Sequence, residues 1–327
     1  MKAGKLKESI LKRSVLKQLH KRSDDVIVAP AVGGDFGAVA ITEDIAVVLS
    51  SDPVTLTKDA IGSSSIIAAC NDVACSGAVP TAVSVTILLP TVYNEEELRE
   101  LMKDLDKACE GCGVDIVSGH TEVTRGVKEP LVVVTAMGTV SKKSLKHSGC
   151  VRPGMDIVAT KWVGLEGTAI LAKEKEAELR SRYAQPFIDN AKVFGQMMSI
   201  LPEAAVAVQS GASAMHDVSE GGVFGALWEL AESAGVGLEI DLKKIPIRQE
   251  TVEICEFFDV NPYKLLSGGC LLIATEDGNG LVMELEKADI PAVIIGKAID
   301  SNDRVLMNED ERRFLETTQT DELYNFS

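Results

Sequence analysis

The run Ser148-Gly149-Cys150-Val151-Arg152-Pro153-Gly154 divides this chain into two series, each alternating short β-branched strands with longer helical stretches. Glycine and proline at this density punctuate regular structure. Strands alternating with helices on both sides imply α/β layers rather than a helical bundle or an all-β sandwich. A length of 327 residues suits two domains. The break assigns one to residues 1–149 and the other to 150–327. With 46% apolar and 25% charged residues, each half can bury a core of its own.

In the first half Val26–Ala29, Val39–Ile41 and Ile45–Ser50 read as strands, the third ending at Ser51-Asp52-Pro53. A small-residue helix follows over about 59–77, then a strand over Thr81–Leu89. That strand is apolar at nearly every position, as a strand covered on both faces would be. The clearest helix spans 95–110. Asn94 can cap it with Glu97 as reciprocal partner, Leu98, Leu101, Met102, Leu105 and Ala108 form its apolar stripe, and Gly111 and Gly113 end it. Asp115–Val117 and Leu131–Met137 read as further strands. In the second half strands are expected at 156–160, 238–241, 271–275 and 292–299, with helices near 165–180, 187–200 and 220–234.

The net charge of −16 excludes polyanion binding over most of the surface, so nucleic acid is not an expected partner. Residues 1–22 are the exception, with Lys2, Lys5, Lys7, Lys12, Arg13, Lys17, Lys21 and Arg22 against Glu8. Leu6, Ile10, Leu11, Val15, Leu16 and Leu19 fall at helical spacing there. The segment therefore reads as an amphipathic helix packed on the domain rather than a targeting peptide. No apolar run approaches the length that spans a bilayer. Seven scattered cysteines, at 70, 75, 109, 112, 150, 255 and 270, fit reduced thiols and a cytoplasmic protein. Cys109-x-x-Cys112 has no second ligand pair and reads as the end of a helix.

Three acidic points stand out: Asp35 on the Val32-Gly33-Gly34 turn, Asp52 at a strand end, and Asn71-Asp72 inside a helix of Ala, Ile, Ser, Val and Cys. A carboxylate in so apolar a helix needs a partner. Carboxylates converging from separate elements suit Mg²⁺ shared with phosphates, and turn caps or strand-end caps explain them equally well by spacing alone. Ser118-Gly119-His120-Thr121-Glu122 follows a strand and precedes a loop with Arg125, with Gly119 allowing close backbone approach, as to a phosphate, and His120 either functional or structural. Met215-His216-Asp217 reads as a loop leading through Val218-Ser219-Glu220-Gly221-Gly222 into a helix that Ser219 or Asp217 could cap and whose first amides could meet an anion. A Walker-type Gly-x-x-x-x-Gly-Lys-Ser/Thr loop is absent.

Taken in order, Val32-Gly33-Gly34-Asp35, Ser51-Asp52-Pro53-Val54-Thr55, Asn71-Asp72-Val73-Ala74, Gly119-His120-Thr121-Glu122 and His216-Asp217-Val218-Ser219-Glu220-Gly221-Gly222 resemble the aminoimidazole ribonucleotide synthase (PurM-like) superfamily. Within it the chain looks most like the branch of the hydrogenase maturation factor HypE. The resemblance implies an N-terminal ATP-binding α/β domain that forms a homodimer and a C-terminal α/β sandwich. It implies an ATP-dependent enzyme that phosphorylates an amide- or acyl-type oxygen. Asp35, Asp52 and Asp72 would be the Mg-ATP carboxylates. Gly33, Asn71, Gly119, His120 and Thr121 would lie around the nucleotide, with Asp72 and His120 in catalytic positions and Lys161 facing phosphate. A small-molecule kinase like thiamine-monophosphate kinase, or a nucleotide-binding scaffold without turnover, are the alternatives. The chain departs from the pattern at Gly34, where many relatives are acidic, at Phe36, where many have Ala, and in its Tyr324-Asn325-Phe326-Ser327 end, which replaces a cysteine-bearing tail. A serine hydroxyl is a poor substitute for that thiol. The expected substrate is thus a separate small molecule or a partner-borne group, not a carbamoyl carried on this chain.

Overall fold

The N-terminal amphipathic stretch is helical but irregular. Helix α1 (Glu8–Ile10) loosens into a π turn over Leu11–Val15 and a 3-10 turn over Leu16–Gln18. Ile10, Leu11 and Leu16 are half-buried, while Leu6, Val15 and Leu19 are exposed. The computed structural model describes residues 3–57, 60–317 and 320–326; Lys2, the expected helix start at 59 and Ser327 lie outside them. Lys21–Ala29 and Asp35–Leu145 form an inner unit, and the chain up to His20, Pro30–Gly34 and everything from Lys146 on form an outer one.

The inner unit is built from β1 (Val26–Val28), β2 (Gly37–Ala40), β3 (Ile45–Val54), α2 (Ile61–Cys75), β4 (Val79–Leu89), α3 (Glu95–Cys112), β5 (Asp115–Val123) and β6 (Leu131–Ser141). Its sheet runs β1-β2-β3-β6-β4-β5, antiparallel except where β5 joins β4 in parallel. Helix α3 begins as expected: the Asn94 side chain accepts from the Glu96 and Glu97 amides while Glu97 accepts from the Asn94 amide. Gly113, in the left-handed region, ends it, whereas Gly111 stays inside the last turn and Met102 is exposed.

Three expectations change here. Strand β3 does not stop before Asp52; it continues through Val54 against β6. Strand β2 pairs β3 only as far as Leu49, so Pro53 sits where one edge is free of a partner and its missing N–H does no harm. Strand β4 is not covered on both faces, because Val83, Val85, Ile87 and Leu89 are buried in alternation with half-buried neighbours. The strand expected over Asp115–Val117 does not stop there: Ser118 to Glu122 are the body of β5, an edge strand exposed at all nine positions.

The outer unit adds β7 (Asp156–Thr160), α4 (Leu165–Glu174), α5 (Glu176–Leu179), α6 (Gln185–Val193), α7 (Leu201–Gln209), β8 (Ala214–Val218), α8 (Gly222–Ala234), β9 (Gly237–Asp241), α9 (Gln249–Phe257), β10 (Cys270–Thr275), α10 (Gly278–Lys287), β11 (Ala292–Ile299), β12 (Arg304–Asn308) and β13 (Glu311–Phe314). The sheet order is β13-β12-β9-β11-β7-β10-β8. Helix α8 packs Leu227 and Leu230 over Ile157, Leu238 and Leu272, the centre of this unit's core. Here a loop becomes a strand: Met215, His216 and Asp217 lie in β8, buried along its whole length and paired with β10. The N-terminal stretch is fastened to this unit by the Trp228 Nε1 bond to Glu8 at 2.9 Å and the Lys12 pair with Glu232.

Candidate functional site

The inner sheet sorts the expected residues by face. Ser50 and Asp52 alternate with exposed Ser51, so they point to the side that α2 covers. Helix α2 presents Asn71 and Asp72 there, 3% and 7% exposed. The Ser50 hydroxyl donates to Asp72 Oδ2 at 2.6 Å. Two carboxylates and an amide thus gather on one face, Asp52 from the sheet and Asn71-Asp72 from the helix. Asp35, half-buried, lies two residues before β2, whose register with β3, continued, sets it opposite Ser51. Oxygen donors of this kind suit a hard divalent cation such as Mg²⁺, so the residues present fit the metal that the fold family implies.

The Gly119-His120-Thr121 segment sits elsewhere. Cross-strand pairing runs Asp52–Val134, Val134–Val85 and Val85–Gly119, so Gly119 lies in line with Asp52 but three strand spacings away, about 14 Å. Thr121 shares that face through its pairing with Ile87. His120 pairs with Thr86 and faces the opposite side, where its Nε2 meets Glu122 Oε2 at 3.0 Å. A Cβ on Gly119 would stand 2.3 Å from the Val85 carbonyl oxygen, so the close approach this glycine permits is to β4. Within one inner unit, His120 and the Asp52–Asp72 pair do not converge. A hollow lined by Ile61, Tyr93, Glu97 and Asp104 opens at the far end of α2 and includes none of the expected residues.

In the outer unit the His216–Gly222 segment belongs to a charged cluster. His216, 2% exposed, approaches Glu229 Oε2 with its Nε2 at 3.4 Å, and Lys5 Nζ reaches both Glu229 oxygens at 3.3 Å. The Lys5 amide donates to Glu220 Oε1 at 2.8 Å. Burial works against ionisation of Glu229, but the Lys5 ammonium and His216 outweigh it and hold the carboxyl at about 2. Gly33, at φ 67, lies against this helix: a Cβ there would be 2.2 Å from the Glu229 carbonyl oxygen. Its role here is packing on α8.

The N-cap residue of α8 is Gly221, which has no side chain to cap the helix. Gly221 N–H donates to Asp321 Oδ2 at 2.7 Å, a contact across 100 residues that no local pattern announces. Asp321 is 1% exposed and burial pushes it up to about 6. Glu166, in the first turn of α4, is pushed to about 8 by burial and by the neighbouring Asp321. Lys161 is also committed: its ammonium pairs with Glu203 Oε1 at 2.7 Å and donates to the Met197 and Ser199 carbonyls at 2.9 and 2.7 Å. Three donors meet three acceptors, which leaves none for the phosphate expected there.

Two family models match the chain, that of the AIR synthase related protein N-terminal domain over residues 33–140 and that of its C-terminal domain over 152–308. A putative hydrogenase expression/formation protein of Methanocaldococcus jannaschii is 26% identical over 285 residues, covering 84% of this chain and 80% of the relative. The carbamoyl dehydratase HypE of Rhodobacter capsulatus is 28% identical, covering 80% of this chain and 75% of its own. The crystal structure of a hydrogenase maturation protein HypE in complex with ATP superposes with a TM-score of 0.73 at 20% identity, over 98% of this chain and 97% of that one. Among the described residues no helix is long and apolar enough to cross a membrane. The order of motifs, the two sheet-bearing units and both family models agree that this chain belongs to the AIR synthase related, PurM-like family, close to HypE.

Proposed function

We propose that this protein is a HypE-like, ATP-dependent enzyme that binds Mg-ATP at the helix-covered face of its inner sheet and phosphorylates an amide- or acyl-type oxygen. The observation that carries the reading is the buried Asp72 carboxylate, bonded by Ser50 and sharing its face with Asp52. Two like charges on one face repel unless a cation lies with them. Asp52 and Asp72 would hold Mg²⁺, whereas the register that sets Asp35 opposite Ser51 turns it to the other face of the sheet; the ion would offset phosphate charge and polarise the transferred phosphoryl group. Family membership and the ATP complex of a HypE relative support the nucleotide. The acceptor would be a separate small molecule or a partner-borne group. Calorimetric titration is the test: ATP affinity should depend steeply on Mg²⁺ and fall at least about tenfold in Asp52→Asn or Asp72→Asn. Unchanged affinity in both variants removes the assignment.

The open face of the same sheet fits a second copy of the chain. Strand β5 is an edge strand exposed throughout, and Ile45 and Leu49 of β3 and Met137 of β6 are exposed on the open face of the sheet. An unpaired edge and an uncovered apolar face are usually satisfied by association. Because His120 and Glu122 lie on that face, a homodimer would place them at its interface. Light scattering at micromolar concentration should give a dimer, and a monomer would overturn this part.

A further inference from the structure

Cys109-x-x-Cys112 takes no part in the nucleotide reading, yet the fold sets a third thiol beside it. Helices α2 and α3 run side by side in the same direction. Where the start of α2 meets the middle of α3 the approach is close. A Cβ on Gly62 would lie 2.8 Å from Asp104 Oδ2 and 3.2 Å from the Leu101 and Leu105 side chains. The Ser63 amide donates to Asp104 Oδ2 at 2.8 Å. Eight residues further along each helix, a rise of about 12 Å, Gly62 is succeeded by Cys70 and Asp104 by Cys112. The same line of contact therefore brings two thiols together, and the Cys70 and Cys112 thiols are hydrogen-bonded to one another. Cys70 is fully buried, while Cys112 is 9% exposed in the last turn before Gly113.

We propose that Cys70 and Cys112 are a thiol–disulfide modification site that closes to a bond stapling α2 to α3. The reactant class is a low-molecular-weight disulfide. Cys112, the more accessible thiol, is deprotonated and its sulfur attacks one sulfur of the reactant. The reactant's S–S bond breaks, one small thiol leaves with a proton, and a mixed disulfide remains on Cys112. Cys70 then loses its proton and attacks the Cys112 sulfur, expelling the second small thiol. Two protein S–H bonds are exchanged for one S–S bond, and the reactant is reduced to two thiols. Access favours this order, since Cys112 is 9% exposed in the last turn of α3 and Cys70 is fully buried. Cys109 is the lesser partner: it shares α3 with Cys112, so a bond between those two would tie no second element, and burial raises its thiol to about 11.

The bond would bear on the site because Cys70 immediately precedes Asn71-Asp72. A disulfide holds its sulfurs about 2 Å apart, closer than a thiol hydrogen bond, so oxidation must draw α2 and α3 together next to Asp72. That consequence rests on the nucleotide reading; the bond itself does not.

The experiment treats the native full chain with oxidised glutathione and reads intact mass and a peptide map, then Mg-ATP affinity. A loss of about 2 Da with a Cys70–Cys112 crosslinked peptide is expected. The loss should vanish in Cys112→Ser and persist in Cys109→Ser. The peptide map of the unsubstituted chain decides the matter if a serine variant does not fold. No mass loss under native conditions, or a map showing Cys109–Cys112, overturns the site. Oxidation should weaken Mg-ATP binding at least threefold, with recovery in dithiothreitol. A mapped bond with unchanged affinity overturns the coupling, whereas a reduced protein that binds no Mg-ATP overturns the nucleotide reading alone.

Discussion

Asp72 in the inner unit and Glu229 in the outer unit are both acids set against apolar helices, and their partners differ in kind. Asp72 receives a serine hydroxyl and shares its face with a second acid, Asp52. Glu229 is met by Lys5 and His216, and Glu203 of the same unit by Lys161. The outer unit neutralises its acids from within the chain. The inner one gathers acids where an external cation would be stabilising. Sequence motifs do not separate the two cases, because the partners, Ser50 for Asp72 and Lys5 for Glu229, lie far off along the chain.

The largest expected effect tests the outer arrangement. Lys161→Met would strand the Glu203 carboxylate, whose side chain is 3% exposed. Removing one member of a buried pair costs about 3–5 kcal/mol, to be read from urea unfolding. Mg-ATP affinity of the remaining folded protein should stay unchanged, since the lysine has no donor left for a phosphate; a tenfold loss would return it to the nucleotide site. Next in size is ligand stabilisation. Mg-ATP at a hundred times its dissociation constant should stabilise the protein by about 2.7 kcal/mol, and thermal melts should show Asp72→Asn losing most of this gain while Glu229→Gln keeps it. Equal losses in both would erase the contrast between the units.

Gly119→Ala follows, at about 1–3 kcal/mol of destabilisation, because the new methyl would press on the Val85 carbonyl. Gly34→Ala is the smallest. The nearest atom to its Cβ, the Ala31 carbonyl oxygen, is 3.5 Å away, so a change within about 0.5 kcal/mol is expected by chemical denaturation. The contrast also has a pH signature in the outer unit. Glu229 titrates at about 2 in the fold against an ordinary 4.5, so its contribution is present above 4.5 and lost as pH falls toward 2. Glu166 titrates at about 8, so its contribution is complete below 4.5 and lost as pH rises through 8. Urea midpoints between pH 5 and 9 should therefore decline less in Glu166→Gln than in the unsubstituted protein; parallel declines would count against a buried neutral Glu166.

Legibility in the sequence followed the range of the forces. Helix α3 could be read to within a turn because Asn94, Glu97 and Gly113 act on their own neighbours. Strand β5 could not, since Ser118, His120, Thr121 and Glu122 are exposed and carry no apolar alternation. Strand β8 is hidden for the reverse reason: its His216 and Asp217 are polar yet buried. The association of Asp52 with Asn71-Asp72 was anticipated from family resemblance and from the oddity of an acid in a helix of small residues. The commitments of Lys161 to Glu203 and of Gly221 to Asp321 span 42 and 100 residues, and only the fold reveals them.

The bond between Gly221 and Asp321 bears on the order in which a ribosome-borne chain can finish folding. All strands and both helices of the inner unit lie between residues 26 and 141, so that unit can close while the second half is still being made. The outer unit has no such freedom. It needs Asp321 on Gly221, and it needs Glu220, Glu229 and Glu232 for the N-terminal stretch, which must therefore wait, unpaired, until α8 has been made. A nascent chain stalled near residue 200 should accordingly show a protease-resistant core beginning close to residue 21, with the first twenty residues open to cleavage.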